Sequence, residues 1–147
     1  MGNLTKINMR LFGSLIFFLY ICTMSIELRR KIKEIILALE NASSNVLNMC
    51  SGNASRDAAL YRSILFKIKD EMIPQALELC KEDEYEPKHS LEKTARNIWA
   101  MDYTILSRAS LIPQERIEFL SNWIKRYACD LKVILRDYGK KNNNPES

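Results

Sequence analysis

The chain has 147 residues, 47% hydrophobic and 27% charged, with only four glycines and four prolines. That length gives one domain, and the composition excludes wholesale disorder, collagen-like repeats and many-turned β architectures. It is too short for a (β/α)8 barrel or a two-domain dehydrogenase, and a net charge of +4 with both signs spread along the chain does not point to nucleic acid. The local charge bias is Arg29-Arg30-Lys31 with Lys33 on one side and Glu82-Asp83-Glu84 on the other, which reads as solvated helix faces and loop ends.

Residues 11–24 form an uncharged apolar run preceded by Lys6 and Arg10 and by no acid. A positive segment followed by a short apolar segment is the pattern of a secretory signal. The run is shorter than the roughly 20 residues that a membrane span needs. Thr23 and Ser25 supply small residues for a cut after Ser25, so residues 1–25 are assigned to the signal. The alternatives are an uncleaved signal-anchor, because Met24 and Ile26 extend the apolar stretch, and a buried first core helix. Removing 1–25 leaves 20 basic against 18 acidic residues, nearly neutral.

In chain order, Leu28, Ile32, Ile35, Ile36 and Leu39 recur at helical spacing and predict a first helix. The stripe continues weakly through Ser43, Val46 and Cys50, so this helix ends near Glu40 or near Cys50. Ser-Gly-Asn-Ala-Ser at 51–55 is the break, with Ser55 as the expected cap of the next helix and Asp57 in its first turn. Tyr61, Ile64, Leu65, Ile68 and Met72 give the second stripe. Pro74 removes a helical hydrogen bond and crowds the carbonyl of Asp70, which predicts a kink there. Residues 81–90 read as a charged loop, with Ser90 capping a third helix built on Leu91, Ala95, Ile98, Ile105 and Leu106. Asp102 interrupts that stripe, and Trp99 and Tyr103 widen it. After Pro113 the pattern is the clearest in the chain: Ile117, Leu120, Ile124, Tyr127, Leu131 and Ile134. Gly139 with Lys140-Lys141 marks its end, and 142–147 is a polar tail. The expected fold is all-α: a four-helix bundle over 26–141 with a kinked second helix.

Three cysteines, Cys50, Cys80 and Cys129, remain after signal removal and are candidates for one disulfide of undetermined pairing. Three buried free thiols is the other reading. Asn41-Ala42-Ser43 and Asn53-Ala54-Ser55 are acceptor triplets, making Asn41 and Asn53 candidate glycosylation sites. The sequence carries no nucleophile elbow, phosphate loop or H-E-x-x-H motif. His89 is the single histidine, placed beside a helix start and read as a surface residue. No catalytic, cofactor or metal residue is therefore assigned, and no enzyme activity is expected. Phe66, Trp99, Tyr103, Phe119 and Trp123 lie beside their helices' main stripes. They form either a wide core face or aromatic anchors for a partner.

The segment Ile117-Glu118-Phe119-Leu120-Ser121-Asn122-Trp123-Ile124 resembles the last helix of the interleukin-2-like short-chain cytokines. The resemblance covers about one helix. It implies a secreted four-helix ligand for a cell-surface receptor, with an up-up-down-down topology and two long crossovers. Here only about five to seven residues join the last two helices, which instead suggests antiparallel neighbours. A long first crossover requires the first helix to stop near Glu40. The expected function is a secreted, cytokine-like ligand with no nucleic-acid partner and no stable membrane insertion after signal cleavage. The alternatives are a secreted carrier of an apolar small molecule and a signal-anchored helical protein.

Overall fold

The computed structural model describes residues 24–49, 51, 53–107 and 113–143, with the side chains at 49, 54, 102–107, 113 and 138–143 outside that description. Of the expected signal over 1–25, residues 1–23 also lie outside the described residues. Helices α1 (Ile26–Met49), α2 (Ala54–Lys67), α3 (Ile73–Leu79), α4 (Tyr85–Ser107) and α5 (Pro113–Asn143) follow one another, with a π-helical turn over Ile68–Met72 joining α2 to α3. Among the described residues there is no strand, and no helix is long and apolar enough to cross a membrane.

Helix α1 begins with a cap: the Ser25 hydroxyl accepts from the Leu28 amide at 3.1 Å, with Glu27 in the first turn. Its stripe is buried from Leu28 through Val46. The helix therefore uses Ala42, Ser43 and Val46 as core positions and runs on to Met49. It is not ended at Glu40, because nothing between Glu40 and Met49 stops a helix. The connection to α2 spans just 50–53, too short for a long crossover.

Asn53, not Ser55, caps α2: its Oδ1 accepts from the Arg56 amide at 3.1 Å. Ser55 lies inside the helix and is exposed. The expected kink at Pro74 takes a specific form. The Ile73 amide bonds back to the Ile68 carbonyl, five residues earlier, so the hydrogen-bond register slips by one just before the proline. Pro74 then falls in the first turn of α3, where no amide proton is needed.

The 81–90 loop is shorter than the sequence suggests. Helix α4 starts at Tyr85, and Pro87 sits in its first turn, where a proline is tolerated. Ser90 is an interior residue whose carbonyl accepts the Thr94 hydroxyl at 2.8 Å. Helix α5 continues past Gly139 to Asn143. Glycine weakens a helix interior by only about 1 kcal/mol, so Gly139 alone does not end the helix.

The helices pack in sequence, α1 on α2–α3, α2–α3 on α4, α4 on α5, and α5 returns to cover α1. Glu40 of α1 is ion-paired with Lys132 of α5, while Ser43 bonds Ser121, so the two helices run antiparallel. The core between them is apolar side chains from all the helices, including Leu28, Leu39, Tyr61, Ile98, Ile124 and Leu131. Burial of each such side chain stabilises by about 1.5–3 kcal/mol relative to exposure.

Three polar contacts fix how these faces meet. The Tyr61 hydroxyl donates to the Ile98 carbonyl at 2.9 Å, tying α2 to α4. The Ser43 hydroxyl meets the Ser121 hydroxyl at 2.8 Å and the Ser121 carbonyl at 3.0 Å, letting α1 and α5 approach through small residues. At the other contact, Arg116 of α5 and Asp57 of α2 form an ion pair at 3.6 Å, exposed by only 2% and 1%. Asp57 Oδ1 also accepts from the Ser51 amide at 2.8 Å, clamping the α1–α2 connection.

Candidate protein-interaction site

The periodicity of α5 places Phe119, Trp123 and Tyr127 four residues apart, on neighbouring turns of one face. The rings form a ladder of edge-on and tilted contacts. Phe119 meets Trp123 edge-on at 6.1 Å and 63°, and Trp123 meets Tyr127 at 6.3 Å and 43°. Such pairs add about 0.5–1.5 kcal/mol beyond area burial. The Arg126 guanidinium lies 5.2 Å from the Trp123 ring centre, a cation–π contact.

Helix α4 supplies the opposite wall. Ser90, Thr94, Asn97 and Met101 recur every three or four residues and, with Lys93, face the ladder. The two walls enclose a groove open to solvent on one side, about 390 Å³ where Thr94 and Asn97 oppose Trp123 and Tyr127. It continues as a recess of about 270 Å³ over Met101, Phe119 and Trp123. Trp123 lines both and is half-buried. Tyr127 forms the floor at 3% exposure, and burial pushes its phenol up to about 12, so it is neutral at physiological pH. Lys93 and Arg126 on the rims are exposed, as is Asp130. The surroundings are therefore aromatic below and mixed-charge above, suited to recognition of an amphipathic surface.

The sequence-derived aromatic candidates separate. Phe119 and Trp123 come together in this groove. Trp99 does not join them: it projects from another face of α4 at 67% exposure. Phe66 is half-buried on α2, with Lys69 Nζ 4.6 Å from its ring centre. Tyr103 falls within α4, its side chain outside the described residues. Tyr127 was legible only as a core stripe position, because burial and ring contact coincide there. Tyr85, exposed at 70%, stacks on His89 with ring centres 5.8 Å apart, which places the single histidine on the surface.

Asn41 and Asn53 are both exposed, on α1 and at the start of α2. The Asn53 cap uses its carbonyl oxygen, leaving the amide nitrogen outside the capping bond. In the other triplet, Ser43 is buried at 1%. Cys80 and Cys129 are free and not bonded to one another, and Cys50 lies outside the described residues. Burial and the nearby Glu84 carboxylate push the Cys80 thiol up to about 11, the opposite of what a reactive thiol needs.

Two polar residues in the interior depart from the sequence expectations: Arg116 is not singled out there, and Glu84, read there with Glu82 and Asp83 as solvated, is buried. One is Arg116, the partner of Asp57. The other is Glu84 at the start of α4, 2% exposed, with neither carboxylate oxygen at hydrogen-bonding geometry to a partner. Burial holds its pKa above the ordinary carboxylate value, against the opposing pull of the Lys81 backbone amide and ammonium. Among the described residues, no three His, Cys, Asp or Glu side chains stand where they could share a metal ion. Comparison with family models, with curated proteins and with solved structures finds no significant match for this chain.

Proposed function

We propose that the chain is a secreted four-helix-bundle ligand, cytokine-like in role, that binds a cell-surface receptor and performs no chemical step. The observation that carries this reading is the α4–α5 groove. Three aromatic rings line one helix face, with Tyr127 buried at the floor and Trp123 half-buried between the other two with Arg126 over its ring. Tryptophan, tyrosine and arginine are the residues that most often dominate protein–protein binding energy.

The bundle assignment is supported by the short connections and by the return of α5 to α1. These favour an up-down-up-down order, so the likeness to short-chain cytokines is one of role and of the last helix rather than of crossover topology. Secretion is supported by the apolar run over 11–24 with its preceding Lys6 and Arg10. The exposure of Asn41 and Asn53 is compatible with sugar at either.

The test is expression of the full chain in a secretory cell, followed by binding of the labelled medium form to intact cells. The reading expects recovery from the medium and saturable binding that unlabelled protein displaces. Retention of the chain inside the cell, or binding that never saturates, would refute it.

A further inference from the structure

We infer that the α4–α5 groove takes an extended peptide segment of its partner, one that carries a large apolar side chain and, three residues along, a single carboxylate. This deepens the receptor-binding reading and rests on it.

The groove changes character along its length. Its smaller part is walled by Ala100, Met101, Phe119 and Trp123, a lining that suits one large apolar side chain. Its larger part holds the charges, with Lys93 on α4 and Arg126 and Asp130 on α5. Among the described residues neither Lys93 nor Arg126 is paired with a carboxylate, whereas Lys31, Lys69, Lys132 and Arg136 each are. Two such cations against one acid at the same end favour a carboxylate supplied from outside. Asp130 stands one turn beyond Arg126, so it repels a second acid placed next to the first. That selects a lone carboxylate over a polyanion.

Asn97 joins the two parts and lines both. On α4 it is one turn from Lys93 in one direction and one turn from Met101 in the other. It is half-buried, and its side-chain amide makes no hydrogen bond among the described residues. A primary amide offers an acceptor and two donors, the complement of a peptide unit. A partner helix laid over it has its backbone groups already spent within the helix, while an extended segment has them free.

The spacing agrees. Met101 and Lys93 lie about 12 Å apart along α4, and Phe119 and Arg126 about 10 Å apart along α5. Three residues of polyproline-II backbone advance about 9 Å and return to the same face. An apolar side chain seated in the smaller part therefore brings the third residue on within reach of the long Lys93 and Arg126 side chains. Aromatic-lined grooves are the surfaces on which such segments dock.

The experiment is a fluorescence titration of the Trp99→Phe variant, in which Trp123 is the only tryptophan, with four synthetic peptides. The first carries leucine and glutamate three residues apart in a proline-rich backbone. The second and third replace the glutamate by glutamine and by lysine. The fourth carries leucine and glutamate seven residues apart in an alanine-rich helix, which gives nearly the same separation. The first peptide should change Trp123 emission saturably. The glutamine peptide should bind at least about threefold more weakly, and the lysine peptide more weakly again. Adding Lys93→Glu and Arg126→Glu together should reverse the order of the glutamate and lysine peptides while circular dichroism shows the helices intact. If that variant does not fold, the ranking of the peptides on Trp99→Phe decides alone. Equal binding of the glutamate and lysine peptides, no saturable change with any peptide, or tighter binding of the helical one overturns the inference. Saturable binding of the labelled protein to intact cells is a separate readout: its absence refutes the receptor reading, while the peptide ranking decides the groove's preference.

Discussion

Replacing Asp57 with alanine should be among the most damaging single changes in this chain. Asp57 and Arg116 are exposed by 1% and 2% and lie 3.6 Å apart. Removing the carboxylate takes from a buried guanidinium its ion-pair partner on α2 and takes the acceptor from the Ser51 amide, now bonded at 2.8 Å. Breaking a buried pair on one side costs about 3–5 kcal/mol, out of a total stability of about 5–15 kcal/mol for a domain. For a domain of this size that lowers the melting midpoint by about 10–20 °C. The double variant Asp57→Leu/Arg116→Met removes both charges and restores apolar volume, so it should recover to within about 2 kcal/mol of the parent. Urea unfolding followed by circular dichroism measures all three. The reasoning is refuted if Asp57→Ala lies within about 1 kcal/mol of the parent, a surface-like value, or if the double variant loses the sum of the two single losses.

Glu84→Gln should stabilise the protein at neutral pH. Burial raises the folded-state pKa of Glu84, so its favourable contribution is complete below the unfolded value and is lost as pH rises through the folded one. The gain in urea midpoint should therefore vanish near about pH 3, below the ordinary carboxylate range; a gain of equal size at both pH values would contradict the assignment. Alkylation with iodoacetamide, read by peptide mass mapping, should modify exposed Cys129 at least about tenfold faster than Cys80, whose thiol is pushed up to about 11. Equal rates would show that the α3–α4 connection does not shield Cys80. Pro74→Ala should change stability by less than about 1 kcal/mol, because the π turn has already moved the backbone out of the proline's way. A loss of several kcal/mol in urea unfolding would show that the proline itself holds the turn.

Much of this fold is legible in the residue pattern. The stripes from Leu28 to Val46 and from Ile117 to Leu131 are the buried faces of α1 and α5, because a helix returns the same face to its neighbour every three or four residues. Helix ends were harder. Ser25 and Asn53 cap where Ser55 and Ser90 compete as equally good signals, and Pro87 reads as a loop marker although a first-turn proline suits a helix. The Asp57–Arg116 pair carried a signal that passes unnoticed when stripes are drawn from apolar residues alone. Asp57 stands four residues before Tyr61 and Arg116 four before Leu120, so each extends its stripe by one turn with opposite charge. The α4–α5 groove was half visible. Phe119 and Trp123 stand out beside their stripe, but which helix opposes them depends on how the helices meet, which one helix's periodicity does not encode. Trp99 shows the same limit from the other side: its spacing is compatible with a widened core, yet its side chain is 67% exposed.

The central claim is recognition through the α4–α5 groove, and binding of the labelled protein to receptor-bearing cells tests it most directly when wild type, Trp123→Ala and Trp99→Ala are compared. Loss of a central aromatic anchor costs about 2 kcal/mol or more, so Trp123→Ala should weaken binding at least about tenfold while circular dichroism shows the helices intact. Trp99→Ala, on another face of α4, should bind as wild type does. Unchanged affinity for Trp123→Ala, or a loss confined to Trp99→Ala, would contradict the account.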